Sequence, residues 1–304
     1  MLGSLYAARL KESGQQMTIL ARGKRLEEIL QRGILLENAL TKERTHTVID
    51  AVSAIQPDDD YDLILVIVRK SQVASVLPEL RANWNTPNVL FLMNNAAGTK
   101  ELEVVGKERL LIGFPAAGGT RQAGVVRYFL AKNQATSIGE PDGRITRRLD
   151  LIADVLRGAG FKVVVRRDMD AWLRTHVALV SPAANAIYMA GGDFYRLIHD
   201  QETLRLWVRA VREGFRVLRS LRIPVTPSAL SLLEWIPEGL LIRMLQKRLD
   251  NELAELVIAR HANAARDEMK ILADEFQDLV RQAGIPAPAI EQLYQFVNKF
   301  PENR

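Results

Sequence analysis

Met1-Leu2-Gly3-Ser4-Leu5-Tyr6-Ala7-Ala8-Arg9-Leu10 opens the chain, and Met17-Thr18-Ile19-Leu20-Ala21 follows after Gly14. The first stretch reads as the last glycine of a G-x-G-x-x-G loop running into its helix, and the second as a strand. Arg22-Gly23-Lys24-Arg25 comes directly after that strand. Together they form the second half of a βαβ dinucleotide unit whose first strand and first two glycines are missing. The expectation is a natural start about ten residues earlier, with a strand and G-x-G. A helix amino terminus behind such a loop offers free main-chain N–H groups and partial positive charge to a diphosphate, here through Leu2, Gly3 and Ser4.

Outward from that unit, short apolar runs alternate with helical patterns, the mark of a mostly parallel sheet with crossover helices. Leu63-Ile64-Leu65-Val66-Ile67-Val68 and Val89-Leu90-Phe91-Leu92-Met93 are apolar throughout, as expected for strands covered on both faces. Leu110–Phe114 and Val125–Phe129 read as two more strands around a turn at Gly118-Gly119, and Phe161–Val165 as another. From Asp168 onward the strand signal fades and helix follows helix. The reading is therefore α/β: a Rossmann-like, mostly parallel sheet domain over residues 1–168, followed by an all-helical domain over 169–304.

With 304 residues, 48% of them hydrophobic and 25% charged, the chain has the makeup of an ordinary soluble protein that can bury two cores. It has no cysteine, which excludes thiolate metal sites and thiol nucleophiles and suits a reducing cytoplasm. Its net charge is only +5, and the densest basic row, Arg205, Arg209, Arg212, Arg216 and Arg219, reads as a solvated helix face rather than a nucleic-acid stripe. No apolar run reaches the roughly 20 residues of a membrane span. The four histidines lack metal-ligand spacing, so no metal is expected.

Several residues stand where chemistry is done in such folds. Arg22 occupies the end of the second strand, where NADP sites place an arginine for the 2′-phosphate and NAD sites an acid; a solvated basic turn is the plainer reading. Arg69 and Lys70 close the strand at Val68, at the ligand-binding end of an open sheet, although a basic strand end also serves as simple capping. Asn95 ends the next strand, where its amide can bond a cofactor or substrate or merely stabilise a turn. Arg174 suits a carboxylate in bidentate pairing, with a surface salt bridge as the alternative. His176 lies two positions on, facing away from it. Glu268, taken alone, reads as a surface glutamate.

The order of these segments resembles the ketopantoate reductase (2-dehydropantoate 2-reductase) family. The resemblance rests on Leu2–Ala8, Thr18–Arg22, Asp62–Val66, Asn95-Ala96-Ala97-Gly98-Thr99 and Gly284-Ile285-Pro286-Ala287-Pro288 and spans nearly the whole chain. It implies NADPH as cofactor, a small 2-oxo acid as substrate, a place in pantothenate biosynthesis, and compatibility with a homodimer. It places Arg22 at the family's 2′-phosphate arginine, Asn95 at its strand-end asparagine, and Glu268 at its substrate-binding glutamate. Arg69 falls at the family's lysine after the apolar strand, with Lys70 next to it. Arg174 falls at the family's general-acid lysine, and Ala178 and Pro182 fall near two helix asparagines. Arginine stays protonated and is a poor proton donor, so its role shifts to binding the acid or stabilising the oxyanion. The resemblance thus implies a reductase with Arg174, Glu268 and Lys70 as its substrate-side residues, and Leu2, Gly3, Ser4, Arg22, Arg69 and Asn95 on the cofactor. Lys70, His176 and water remain as proton sources. The alternative is a catalytically impaired relative that binds a nucleotide or a protein partner.

Overall fold

The computed structural model describes residues 1–131, 134–251 and 254–298. The chain divides into two compact units, one made of Met1–Met93 and Thr99–Met169, the other of Asn94–Gly98 with the residues from Asp170 onward.

The first unit is α/β. Its elements in order are α1 (Leu2–Glu12), β1 (Thr18–Leu20), α2 (Lys24–Arg32), β2 (Ile34–Asn38), β3 (Arg44–Thr47), β4 (Asp50–Val52), β5 (Ile64–Val66), α3 (Val73–Ala82), β6 (Val89–Leu92), β7 (Leu110–Phe114), β8 (Ala117–Gln122), β9 (Val125–Leu130), β10 (Thr136–Gly139), α4 (Arg147–Gly158) and β11 (Val163–Val165). Three sheets result. β1 and β4 form a parallel pair, β11-β10-β7-β6-β5 form five strands with only β10–β7 antiparallel, and β3-β2-β9-β8 form the third. β6 is buried along its whole length, which is why Val89-Leu90-Phe91-Leu92 is uninterrupted by polar residues. β5 is shorter than its apolar run and half-buried at Ile64 and Leu65; among the described residues it pairs with β6 alone.

α1 is built of good helix formers, carries Arg9 and Lys11 in its last turn against the helix dipole, and breaks at Ser13 before Gly14. It packs through Leu5, Tyr6, Ala8 and Leu10 into a core shared with Leu90, Leu111, Ile138 and Leu156. Tyr6 anchors it: its ring stacks on Phe161 at 4.1 Å, and its hydroxyl bonds Thr136 Oγ1 at 2.6 Å. Burial pushes that phenol well above its ordinary range, so it stays protonated.

Gly118 and Gly119 sit inside β8, not in a turn, and β7 and β9 belong to different sheets. A side chain at Gly118 would enter the Phe129 ring, and one at Gly119 would strike the Arg127 carbonyl. These glycines exist so that β9 can lie close, which looks like turn chemistry in the sequence.

The second unit, apart from Asn94–Gly98, is helical among its described residues: α5 (Met169–Met189), α6 (Phe194–His199), α7 (Gln201–Ser220), α8 (Glu238–Leu249), α9 (Arg260–Ala264), α10 (Arg266–Ala283) and α11 (Pro288–Tyr294). Asp193 and Asp200 cap α6 and α7 by accepting the N–H of Arg196 and Glu202, each at 3.0 Å. Trp207, Val208, Val211, Phe215 and Leu218 give α7 its buried face. The arginines on its other face are tied up structurally. Arg205 and Arg209 pair with Glu238, Arg219 pairs with Glu234, and Arg212 donates to the carbonyls of Leu233 and Ile236.

The Gly284–Pro288 motif also has a physical reading. Gly284, at φ +62°, ends α10 in the left-handed conformation, and Pro288 opens α11. The buried N–H groups of Ala289 and Ile290, left free by the helix start, then donate to buried Glu213 Oε2 at 2.9 and 3.0 Å. No described helix is long and apolar enough to cross a membrane.

Candidate active site

In the first unit, cations gather around the amino end of α1, which has no side-chain cap. Ser4 is buried there and its Oγ accepts from Arg25 Nη2 at 3.0 Å; Arg25 also pairs with Glu28 at 3.2 Å. Burial lowers the proton affinity of the Arg25 guanidinium. Arg121 Nη1 joins this cluster through the same Glu28, at 3.1 Å. A Cβ on Gly3 would meet only the Ile67 carbonyl, at 3.8 Å, so the helix start runs close past the end of β5. Donor N–H groups, a helix dipole and guanidiniums are the donor set that an anionic dinucleotide requires, and the residues present fit one.

Arg22 lies just beyond β1, where Ala21 N–H still bonds the Val52 carbonyl at 2.9 Å. Its guanidinium forms an ion pair with Glu79 of α3. Beyond β5, the backbone N–H of Arg69 donates to Gln72 Oε1 at 3.3 Å. Lys70 is not a surface cation: its ammonium is buried and bonds Glu101 Oε2 at 2.6 Å.

The second unit holds two of the substrate-side candidates, Glu268 and Arg174, whereas Lys70 belongs to the first. The segment Asn94–Gly98, which follows β6 in the chain, groups with the helices. Glu268, in the first turn of α10, is 4% exposed and therefore no surface residue. It accepts a hydrogen bond from Asn94 Nδ2 at 3.2 Å, so the asparagine that meets it is the neighbour of Asn95. Asn95 instead donates to the Gly98 carbonyl at 2.7 Å. Both asparagines are buried, and the Oδ1 of each has no donor among the described residues. A buried acceptor without a donor is costly, and an N–H or O–H of a bound molecule would satisfy it.

Arg174 stands in the third position of this set. Its Nε donates to Asp170 Oδ2 at 3.0 Å, one turn earlier on α5, and its Nη2 lies directly over Gly98. His176 leaves that face and stacks on Trp172 at 5.1 Å. Sequence reasoning missed Asn94, Asp170 and Glu275. Glu275 Oε2 accepts the N–H groups of Ala96 and Ala97 at 2.9 and 3.3 Å. It lies two turns beyond Glu268 on the same helix face, and that i, i+7 spacing was the available signal. Asn185 on α5 is also buried with its Oδ1 unpaired among the described residues.

A Rossmann-like sheet unit with a cationic helix end is thus followed along the chain by a helical unit that carries a buried carboxylate and a guanidinium. Residues 1–143 match the family model of ketopantoate reductase PanE/ApbA. A 2-dehydropantoate 2-reductase of Archaeoglobus fulgidus is 28% identical over 211 residues, covering 67% of each chain. Among solved structures, 2-dehydropantoate 2-reductase from Geobacter metallireducens GS-15 superposes with a TM-score of 0.76 at 17% identity, covering 98% of this chain and 96% of that one. D-mandelate dehydrogenase in its ternary structure with NADH and anilino(oxo)acetate gives 0.76 at 15% identity, over 97% and 94%.

Proposed function

We propose that this chain reduces a 2-oxo acid of the 2-dehydropantoate kind with NADPH, residues 1–168 binding nucleotide and residues 169–304 substrate. The observation that carries the reading is the group on the second unit: Glu268 buried against Asn94, two asparagine oxygens without donors, and Arg174 over Gly98. An Archaeoglobus relative named 2-dehydropantoate 2-reductase supports the substrate class, and Arg22 beyond β1 supports a 2′-phosphate.

Leu2, Gly3 and Ser4 present the start of α1 to the diphosphate, with Arg69 contributing charge. Asn95 offers its unpaired Oδ1 as an acceptor toward the cofactor. When bound, the reduced nicotinamide supplies the hydride that the carbonyl carbon requires. Arg174, its fork oriented by Asp170, holds the acid's carboxylate or the oxygen on which negative charge develops. Glu268 accepts a substrate hydroxyl and keeps the reacting carbonyl in register. The proton that turns the alkoxide into an alcohol has Lys70 and water as sources; His176 is turned onto Trp172, and Arg174 is excluded because guanidinium does not give up its proton.

The test is NADPH oxidation with a panel of 2-oxo acids. Glu268→Ala is expected to lower kcat/KM by about 100-fold or more, as loss of a directly bonded polar partner does. Unchanged turnover on every acid would remove Glu268 from the site.

A further inference from the structure

Arg22, the residue that reads the 2′-phosphate in the proposal above, carries a counter-ion of its own. Glu79 reaches it from α3, 57 residues away in sequence. The second carboxylate oxygen of Glu79 lies 3.5 Å from the main-chain N of Ile55, just after β4. β4 is the parallel partner of β1, with Leu20 opposite Val52. Glu79 therefore spans the carboxyl ends of both strands, beside the residue chosen to bind the phosphate. That is where dinucleotide folds of the other kind place an acid for the ribose hydroxyls. Here the arginine and the acid stand together, contributed by different elements.

We infer that Glu79 is a specificity-determining residue that holds down the preference for NADPH over NADH, an inference that rests on the nucleotide reading above. Two effects act in the same direction. A 2′-phosphate must share or displace the carboxylate that already neutralises Arg22, and it brings about two negative charges next to that carboxylate. NADH meets neither obstacle, since its 2′-hydroxyl can donate to Glu79 and leave the ion pair in place. The Arg22 and Glu79 side chains are 48% and 31% exposed, so solvent screens the pair and the effect is moderate rather than absolute.

The experiment is a fluorescence titration of the full chain with NADPH and NADH separately, without substrate, for wild type, Glu79→Gln and Arg22→Ala. Glu79→Gln keeps the shape and removes the charge. It is expected to raise the NADH-to-NADPH ratio of dissociation constants by about tenfold, almost entirely by tightening NADPH, while Arg22→Ala brings the ratio close to one. Glu79→Ala, which also removes the charge, serves as the second variant should the amide lower stability. A ratio unchanged in folded Glu79→Gln or folded Glu79→Ala overturns the inference and leaves the reductase reading intact. A wild type that binds neither nucleotide overturns both.

Discussion

Gly98→Ala perturbs the substrate side of the site at one atom. Gly98 has φ +86°, a conformation that costs an L-residue roughly 1–2 kcal/mol. The new Cβ would fall inside van der Waals contact of Arg174 Nη2 and 3.5 Å from its Cζ. That neighbour is the tip of a long side chain and can swing away, giving up the Asp170 pair, which is worth only about 0.3–0.5 kcal/mol for a partly exposed i, i+4 contact. The stability cost is then about 2 kcal/mol, or a Tm lower by roughly 4–8 °C. The catalytic cost is larger, because a guanidinium aimed at developing charge contributes about 100- to 1000-fold. Thermal melts and steady-state NADPH oxidation measure the two separately. Arg174→Ala should lose as much activity with little change in Tm, and the double variant should lose no more than either single one. A Gly98→Ala protein that melts lower yet keeps its full kcat/KM would refute the assignment of Arg174 to the reacting carbonyl or carboxylate.

Glu275→Ala leaves the buried Ala96 N–H without its acceptor, and a loss of about 1–3 kcal/mol is expected in urea unfolding, whereas Glu275→Gln retains most of the stability. Equal midpoints for Ala and wild type would show that the contact is idle. Glu213 is held above its ordinary value of 4.5, chiefly by burial, with the N–H groups of Ile290 and Ala289 pulling it back. A raised carboxyl contributes stability that is fully present below the unfolded value and is lost as pH rises through the folded one. Glu213→Gln should therefore match wild type near pH ~4 and melt higher at pH ~8, since the amide oxygen still accepts a hydrogen bond; melts that shift in parallel across that range would contradict this.

The parts of the fold readable in sequence were those set by local pattern. Leu2–Glu12 follows helix formers with a glycine stop, β6 follows an apolar run, and Arg22 follows from its place after β1. What escaped depended on distant partners. The third sheet includes two polar or glycine-containing strands, Arg44–Thr47 and Ala117–Gln122, whose strand character comes from pairing rather than composition. Burial of Glu268 could not be read from Arg266-Asp267-Glu268, because a charged helix start looks the same whether solvent or Asn94 lies opposite. Lys70 looked like a strand-end cation until Glu101 appeared 31 residues on. The choice between Asn94 and Asn95 was a matter of which way a loop turns, and adjacent identical residues give the sequence no means to express it.

β1 and β5 each pair on one side only among the described residues, β1 with β4 and β5 with β6. Alternate amides along each strand therefore point away from their partner, beside half-buried Ile19, Ile64 and Leu65. Amide hydrogen exchange should separate strands only one position apart in the sheet, fast at the outward N–H groups of β5 and slow throughout β6. The same two rims carry the main-chain groups through which an edge strand can pair with a further extended segment.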